Sequence, residues 1–161
     1  MVTVEKIESI TDGGFENLEV ATVAGVSTVV GKGEFQVGDL CVFFRAGIII
    51  PADTVKSPYL ERSTVILNRK LGFKAYRIKP RKFGTVTSTG IAFTLAQFYR
   101  MIRKSGIDNL FSSKEKVIAR KKYRAAEHDD LTNVVGAFKY TPNGRYLSAH
   151  WVKQPVINIV Y

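Results

Sequence analysis

One cysteine, two histidines and five prolines in 161 residues are few, and each scarcity removes a class of function. A lone Cys41 excludes an internal disulfide and a cysteine-rich zinc site. Within the apolar run Leu40-Cys-Val-Phe-Phe44 it reads as a small buried hydrophobe. His128 and His150 fall short of a usual three- or four-ligand metal centre without carboxylates. His128, beside Asp129 and Asp130, reads as part of a solvated loop, and His150, beside Trp151, as a hydrogen-bonded structural residue. No metal site and no cofactor are expected. No apolar run approaches the roughly 18 residues of a membrane span; the longest candidate is Ala46-Gly-Ile-Ile-Ile-Pro51. The start, MVTVEKIES, carries acids and no apolar leader. The expectation is therefore an intracellular chain, cytoplasmic or nuclear, with no membrane partner. No local signature marks a serine or cysteine hydrolase, and Lys32-Gly33 in GKGEF lacks the spacing of a nucleotide-phosphate loop. That loop reads as a β-turn.

What remains is an ordinary globular composition: 45% hydrophobic residues and a mean hydropathy of -0.01. The length suits one full core plus an appendage. The net charge of +10 is sorted along the chain. Residues 1–68 carry -4, residues 69–124 carry +14, and residues 125–161 are neutral. A uniformly solvating surface has no reason to segregate so; the middle block is an electrostatic footprint for a polyanion. Its centre is Phe73 to Gly90, FKAYRIKPRKFGTVTSTG, where five cations lie among three aromatic rings with no acid. Charge for phosphates and ring faces for bases are what a nucleic-acid strand needs.

Short alternating runs predict strands over Val2–Ile10, Asn17–Ala24, Ser27–Val30, Leu40–Phe44, Phe73–Lys79 and Gly84–Phe93. The first slips phase near Lys6, and the fourth, nearly all apolar, reads as covered on both faces. Ala52–Arg69 reads as a long mixed connection. Five or so strands with glycine-rich turns predict a closed or partly closed barrel, with Phe73–Gly90 as its working strand pair. Thr94-Leu-Ala-Gln97 has capping-box spacing, and Leu95, Phe98, Tyr99 and Ile102 form one apolar helical face ending near Gly106. Arg100, Arg103 and Lys104 lie opposite. Ser112 and Glu115 repeat the box ahead of a basic segment containing Lys121 and Lys122. Phe138–Tyr140 and Tyr146–Trp151 flank a turn at Thr141–Gly144, which predicts a C-terminal hairpin. The fold class is mainly β with a helical appendage: a five-stranded barrel over 1–94, then one or two helices and a hairpin over 95–161.

Several pieces together resemble the N-terminal OB-fold domain of an RNA-ligase family in which that domain precedes a nucleotidyltransferase core. They are Lys6–Ile10, Asn17–Val23, Val29–Val42, Pro51, Phe73, Arg77-Ile-Lys79, Gly84, Ser88, Gly90 and Leu95. Asp130-Leu-Thr132, Gly136 and Lys139-Tyr-Thr-Pro142 resemble the segment joining that domain to the core. The chain departs from the pattern at Val26, commonly aromatic, at the turn Pro80–Gly84, and at Ser88-Thr-Gly90. It also lacks the K-x-[DE]-G lysine with which such ligases attack ATP. The resemblance therefore implies a non-catalytic module, either a fragment of a longer ligase or a domain standing alone.

The expected ligand is RNA or a nicked duplex, with a ligase core in cis or in trans as a further partner. Alternation puts Tyr76 and Ile78 inside and Phe73, Arg77 and Lys79 outside. Phe73 is expected to stack a base, and Lys74, Arg77, Lys79, Arg81 and Lys82 to hold phosphates. Arg100, Arg103, Lys104, Lys121 and Lys122 extend the track, Phe35 and Val42–Arg45 supply the neighbouring face, and Lys6 and Lys56 lie off it. Two rival readings use the same residues. One is a protein-interaction or assembly module, whose tail Gln154–Tyr161 adds a strand to a neighbour or closes its own fold. The other is an enzyme fragment completed by residues elsewhere.

Overall fold

The structure, a computed structural model, describes residues 1–63, 65–67, 74–102 and 125–139. Its first sheet holds β1 (Val2–Thr11), β2 (Leu18–Val23), β3 (Val26–Gly31), β4 (Leu40–Arg45) and β10 (Gly90–Thr94), in the order β10-β4-β1-β2-β3. Between β4 and β10 lie β5 (Ile48–Pro51), helix α1 (Pro58–Ser63), β6 (Val65–Leu67), β7 (Ala75–Arg77), β8 (Arg81–Phe83) and β9 (Val86–Ser88). Helix α2 (Leu95–Met101), helix α3 (Thr132–Val135) and β11 (Phe138–Lys139) follow β10. A second sheet runs β11-β5-β7-β6, and β8-β9 is a separate hairpin. The five-stranded barrel expected from the sequence is present.

Strand β1 makes the sheet curl because it changes partners halfway. Val2–Lys6 pair with β4, whereas Ile7–Thr11 pair with β2, and the register shifts between Ile7 and Ser9. The phase slip near Lys6 is this change: Val2 and Val4 are buried on one face, Ile7 on the other. The β2–β3 hairpin turns through Ala24 and Gly25, both with positive φ (50° and 78°), the backbone that matches strand twist in two-residue turns.

The two edges, β3 and β10, are joined around Ser88–Gly90 by side-chain bonds and one backbone bond rather than by a full ladder. Val29 N–H donates to Ser88 Oγ (3.0 Å), Thr28 Oγ1 donates to Gly90 O (3.0 Å), and Thr89 N–H donates to Ser27 O (3.0 Å). Inside sit Ile7, Ala21, Val23, Val30, Phe35, Cys41, Phe43 and Ala92. Burial pushes the Cys41 thiol up to about 12, so it stays protonated and inert.

The outer face of β4, β1 and β10 is covered too. Val2, Val4, Val42, Phe44 and Phe93 meet Ile48, Ile50, Leu60, Tyr76, Ile78, Phe98, Met101, Leu131, Val134 and Val135. This second core gathers the second sheet and the three described helices onto one flank of the barrel. Residues 128–131 pair with the free side of β1: His128 N–H donates to Val4 O (2.6 Å) and Leu131 N–H to Val2 O (2.8 Å).

Four expectations are corrected here. The strand expected over Phe73–Lys79 is β7, and it lies in the second sheet, because β5 and β6 occupy both its edges. The single strand expected over Gly84–Phe93 is two: β9 folds back on β8 across the turn at Gly84 (φ 62°), and after Thr89 the chain changes partner, so that β10 pairs with β4. The connection Ala52–Arg69 holds α1 and β6; Ser57 Oγ accepts from Leu60 N–H (3.3 Å), and Pro58 fills the first helical position. Helix α2 has its Thr94–Gln97 capping box but stops before Gly106, because Ile102 leaves the helix to pair with Val55. The Ser112–Glu115 helix, the C-terminal hairpin partner, His150 and the tail lie outside the described residues. No helix among the described residues is long and apolar enough to cross a membrane.

Two predictions follow from this packing. A Cβ at Gly90 would lie 2.7 Å from the Phe43 ring and 2.8 Å from Phe44 O, so neither neighbour can retreat cheaply. Gly90→Ala should lower the urea midpoint by an amount equivalent to about 1–3 kcal/mol; an unchanged midpoint contradicts the packing. Asp130 accepts from the Thr132 hydroxyl and amide, which hold its carboxyl below the usual range. A depressed folded pKa adds stability that is present above the unfolded value and lost as pH falls through the folded one. The advantage of wild type over Asp130→Ala in thermal melts should therefore shrink as pH falls below about 4.

Candidate nucleic-acid interface

Strand alternation decides which side chains reach the outer surface beside the closure. On β3, Thr28 and Val30 point inward, leaving Val29 and Gly31 outside; on β10, Gly90 and Ala92 point inward, leaving Ile91 and Phe93 outside. With Leu18 of β2 these make an apolar floor. Helix α1 forms one wall, helix α2 another, and the β8–β9 hairpin folds over the end. The groove so formed has a volume of about 450 Å³.

Its walls carry rings and cations. Tyr59, half-exposed, meets Phe93 edge to face at 6.1 Å, and Phe93 rests edge-on against Phe44 at 5.2 Å in the core beneath. Phe83 is half-buried, with the Arg81 guanidinium 5.1 Å from its ring centre. Lys56, Arg81 and Arg100 come from three separate elements to the same rim. Among the described residues one acid lines the groove: the turn Gly31–Glu34 folds Glu34 back, with Glu34 N–H donating to Gly31 O (3.1 Å). Its carboxylate lies over Gly31, and burial pushes its pKa up.

The residues anticipated from sequence divide into groups. Arg81 and Arg100 line the groove, and Lys79 lines the recess beside it with Tyr59 and Phe83. Lys82 is exposed but out of phase with Arg81 and Phe83 on β8. Lys74 is tied to α1: its Nζ lies 2.7 Å from Glu61 Oε1, which also accepts from Tyr76 OH at 2.7 Å. Tyr76 and Ile78 are inside, as alternation predicts, and Arg77 is half-buried on the opposite side of β7, its Nε shielded from solvent. Phe73, Arg103, Lys104, Lys121 and Lys122 lie outside the described residues.

Two expectations about the neighbouring face do not hold. Phe35 is 4% exposed and plugs the barrel interior, and Val42–Phe44 are fully buried between the two cores. Lys56, expected off the site, lines the groove. Sequence reasoning missed Lys56, Tyr59 and Glu34. The Ser57-Pro58 helix start could have flagged the first two, since it presents the residues around it on a short rigid turn. Among the described residues no three histidine, cysteine or carboxylate side chains gather as a metal site.

Comparison with solved structures finds the same fold in the Naegleria gruberi RNA ligase. A mutant of that enzyme with ATP and manganese superposes with a TM-score of 0.61 at 23% identity, over 88% of this chain and 35% of the ligase. A mutant with AMP and manganese gives 0.62 at 23%, with the same coverage. The ligase with pyrophosphate gives 0.61 at 21%, over 93% of this chain and 37% of the ligase. The chain thus spans about a third of the length of the ligase it matches. No curated protein sequence matches. A family model described as an OB-fold domain matches residues 1–95, and the chain belongs to that OB-fold family.

Proposed function

We propose that this chain is a nucleic-acid-binding OB-fold module, the accessory part of an RNA-ligase-like system, which holds RNA or the strand of a nicked duplex in the groove. Catalysis is the work of a nucleotidyltransferase core acting in cis or in trans, and the module itself is not an enzyme. Residues 1–94 form the barrel unit and residues 95–161 the extension that completes its basic track. With RNA as ligand, its setting is inside the cell.

The observation that carries this reading is the convergence of Lys56, Arg81 and Arg100 on a groove lined by Tyr59, Phe83 and Phe93. Three elements separated in sequence bring cations to one rim, and the apolar floor offers rings to unstacked bases. Each base stacked on an aromatic side chain is worth roughly 1–3 kcal/mol in strand-binding proteins. Each neutralised phosphate steepens the salt dependence by about 0.7 in log–log slope for a single strand. Lys79 extends the rim into the recess beside it, Lys82 lies out of phase with it, and Lys74 is partly offset by its bond to Glu61. Arg77, on the far side of β7, contributes least.

Fluorescence anisotropy with a labelled RNA of about 12 nucleotides tests this. Affinity should fall steeply between about 50 and 300 mM salt. Arg81→Glu with Arg100→Glu should weaken binding at least about tenfold and flatten the slope. Lys6→Glu, which alters a side chain 3.9 Å from Glu127, should stay within about twofold. Absent binding at low salt, or equal losses in the two variants, contradicts the assignment.

A further inference from the structure

The groove contains a side chain that a site for a polyanion has reason to avoid. Glu34 lines it among Lys56, Arg81 and Arg100, yet among the described residues no cation lies within 4.0 Å of its carboxylate. Its position is built: Lys32 N–H donates to Asn17 O (3.0 Å), Gly33 N–H donates to Glu19 Oε2 (3.3 Å), and Gly33 takes a positive φ of 77°. Gly31 lacks the side chain that would occupy the same space, since a Cβ there would stand 3.0 Å from Glu34 Oε2. The carboxylate thus rests on the outer face of β3; Glu34 is exposed overall, and the partial desolvation at this seat raises its pKa.

We propose that Glu34 selects the base that enters the groove, and that the base is guanine. The inference rests on the groove being the nucleic-acid site. An ionised carboxylate only accepts hydrogen bonds, through two oxygens side by side. Of the four RNA bases, guanine alone presents two adjacent donors, N1–H and N2–H, on its pairing edge. Adenine and cytosine set one amino donor beside a ring nitrogen that accepts, and uracil flanks one imino donor with two carbonyl oxygens. Each of these brings an acceptor against the carboxylate. A base stacked on one of the groove's rings can turn that edge toward Glu34, as in other sites that read an unstacked base by its pairing edge. The cavity volume lies in the range that holds one small ligand rather than a duplex.

The test uses the full chain and short labelled oligouridylates carrying one central guanine, adenine or cytosine, or none. The guanine oligomer should bind about tenfold more tightly than the others. In Glu34→Gln, whose side chain offers one acceptor and one donor, that preference should fall to within about twofold while the salt dependence remains. Gly31→Ala, which crowds the carboxylate out of its seat, should reduce it in the same direction. Equal, salt-sensitive binding of all four oligomers overturns the role of Glu34 and leaves the nucleic-acid reading standing. A guanine preference that survives Glu34→Gln overturns it also. No binding of any oligomer at low salt overturns both.

Discussion

Burial of β4 on both faces is the constraint on which the rest of the molecule depends. Cys41 and Phe43 fill the barrel, and Val42 and Phe44 anchor the flank, so one six-residue strand serves two cores. Truncating one buried phenylalanine costs about 3–5 kcal/mol, against at most about 1 kcal/mol for an exposed ion pair such as Lys74–Glu61. The apolar strand therefore sets the architecture, and the surface charges decorate it. Because the outer face of β4 must be covered, β5, β7 and the helices pack there, and their packing places α1 and α2 beside the closure of the barrel.

The groove is a consequence of that arrangement. Phe44 supports Phe93, and Phe93 meets Tyr59, so the aromatic wall is fixed from the core outward. The closure between β3 and β10 uses Thr28, Ser88 and Thr89 in place of a full ladder, which leaves Val29, Gly31 and Ile91 open as a floor. A ring held by packing loses little freedom when a base stacks on it. That pre-organisation favours binding without any added contact.

Much of this was legible in the sequence, because local patterns and tertiary burial agree there. The nearly all-apolar Leu40–Phe44, the phase slip near Lys6, the break between the strands Asn17–Ala24 and Ser27–Val30 and the Thr94–Gln97 box each correspond to an observed feature. The charge partition marks residues 69–124, the block that brings Arg81 and Arg100 to the groove. It could not say which cations share a surface, since that depends on the second sheet. Three-residue strands such as β6 and β7 show too few alternations to reveal their partners. Phe35 read as a surface ring because its loop is polar, yet it folds back as the barrel's plug. Lys56 and Glu34 lie far from the basic block in sequence and reach the groove only through the fold.

The most direct measurement of the central claim is amide chemical-shift mapping on the isotopically labelled chain titrated with a short RNA. The account predicts that shifts centre on Gly31, Glu34, Tyr59, Phe83, Ile91 and Gln97, the residues around the groove. Shifts centred instead on Ala75–Arg77 in the second sheet, or on β1 around Lys6, would contradict it.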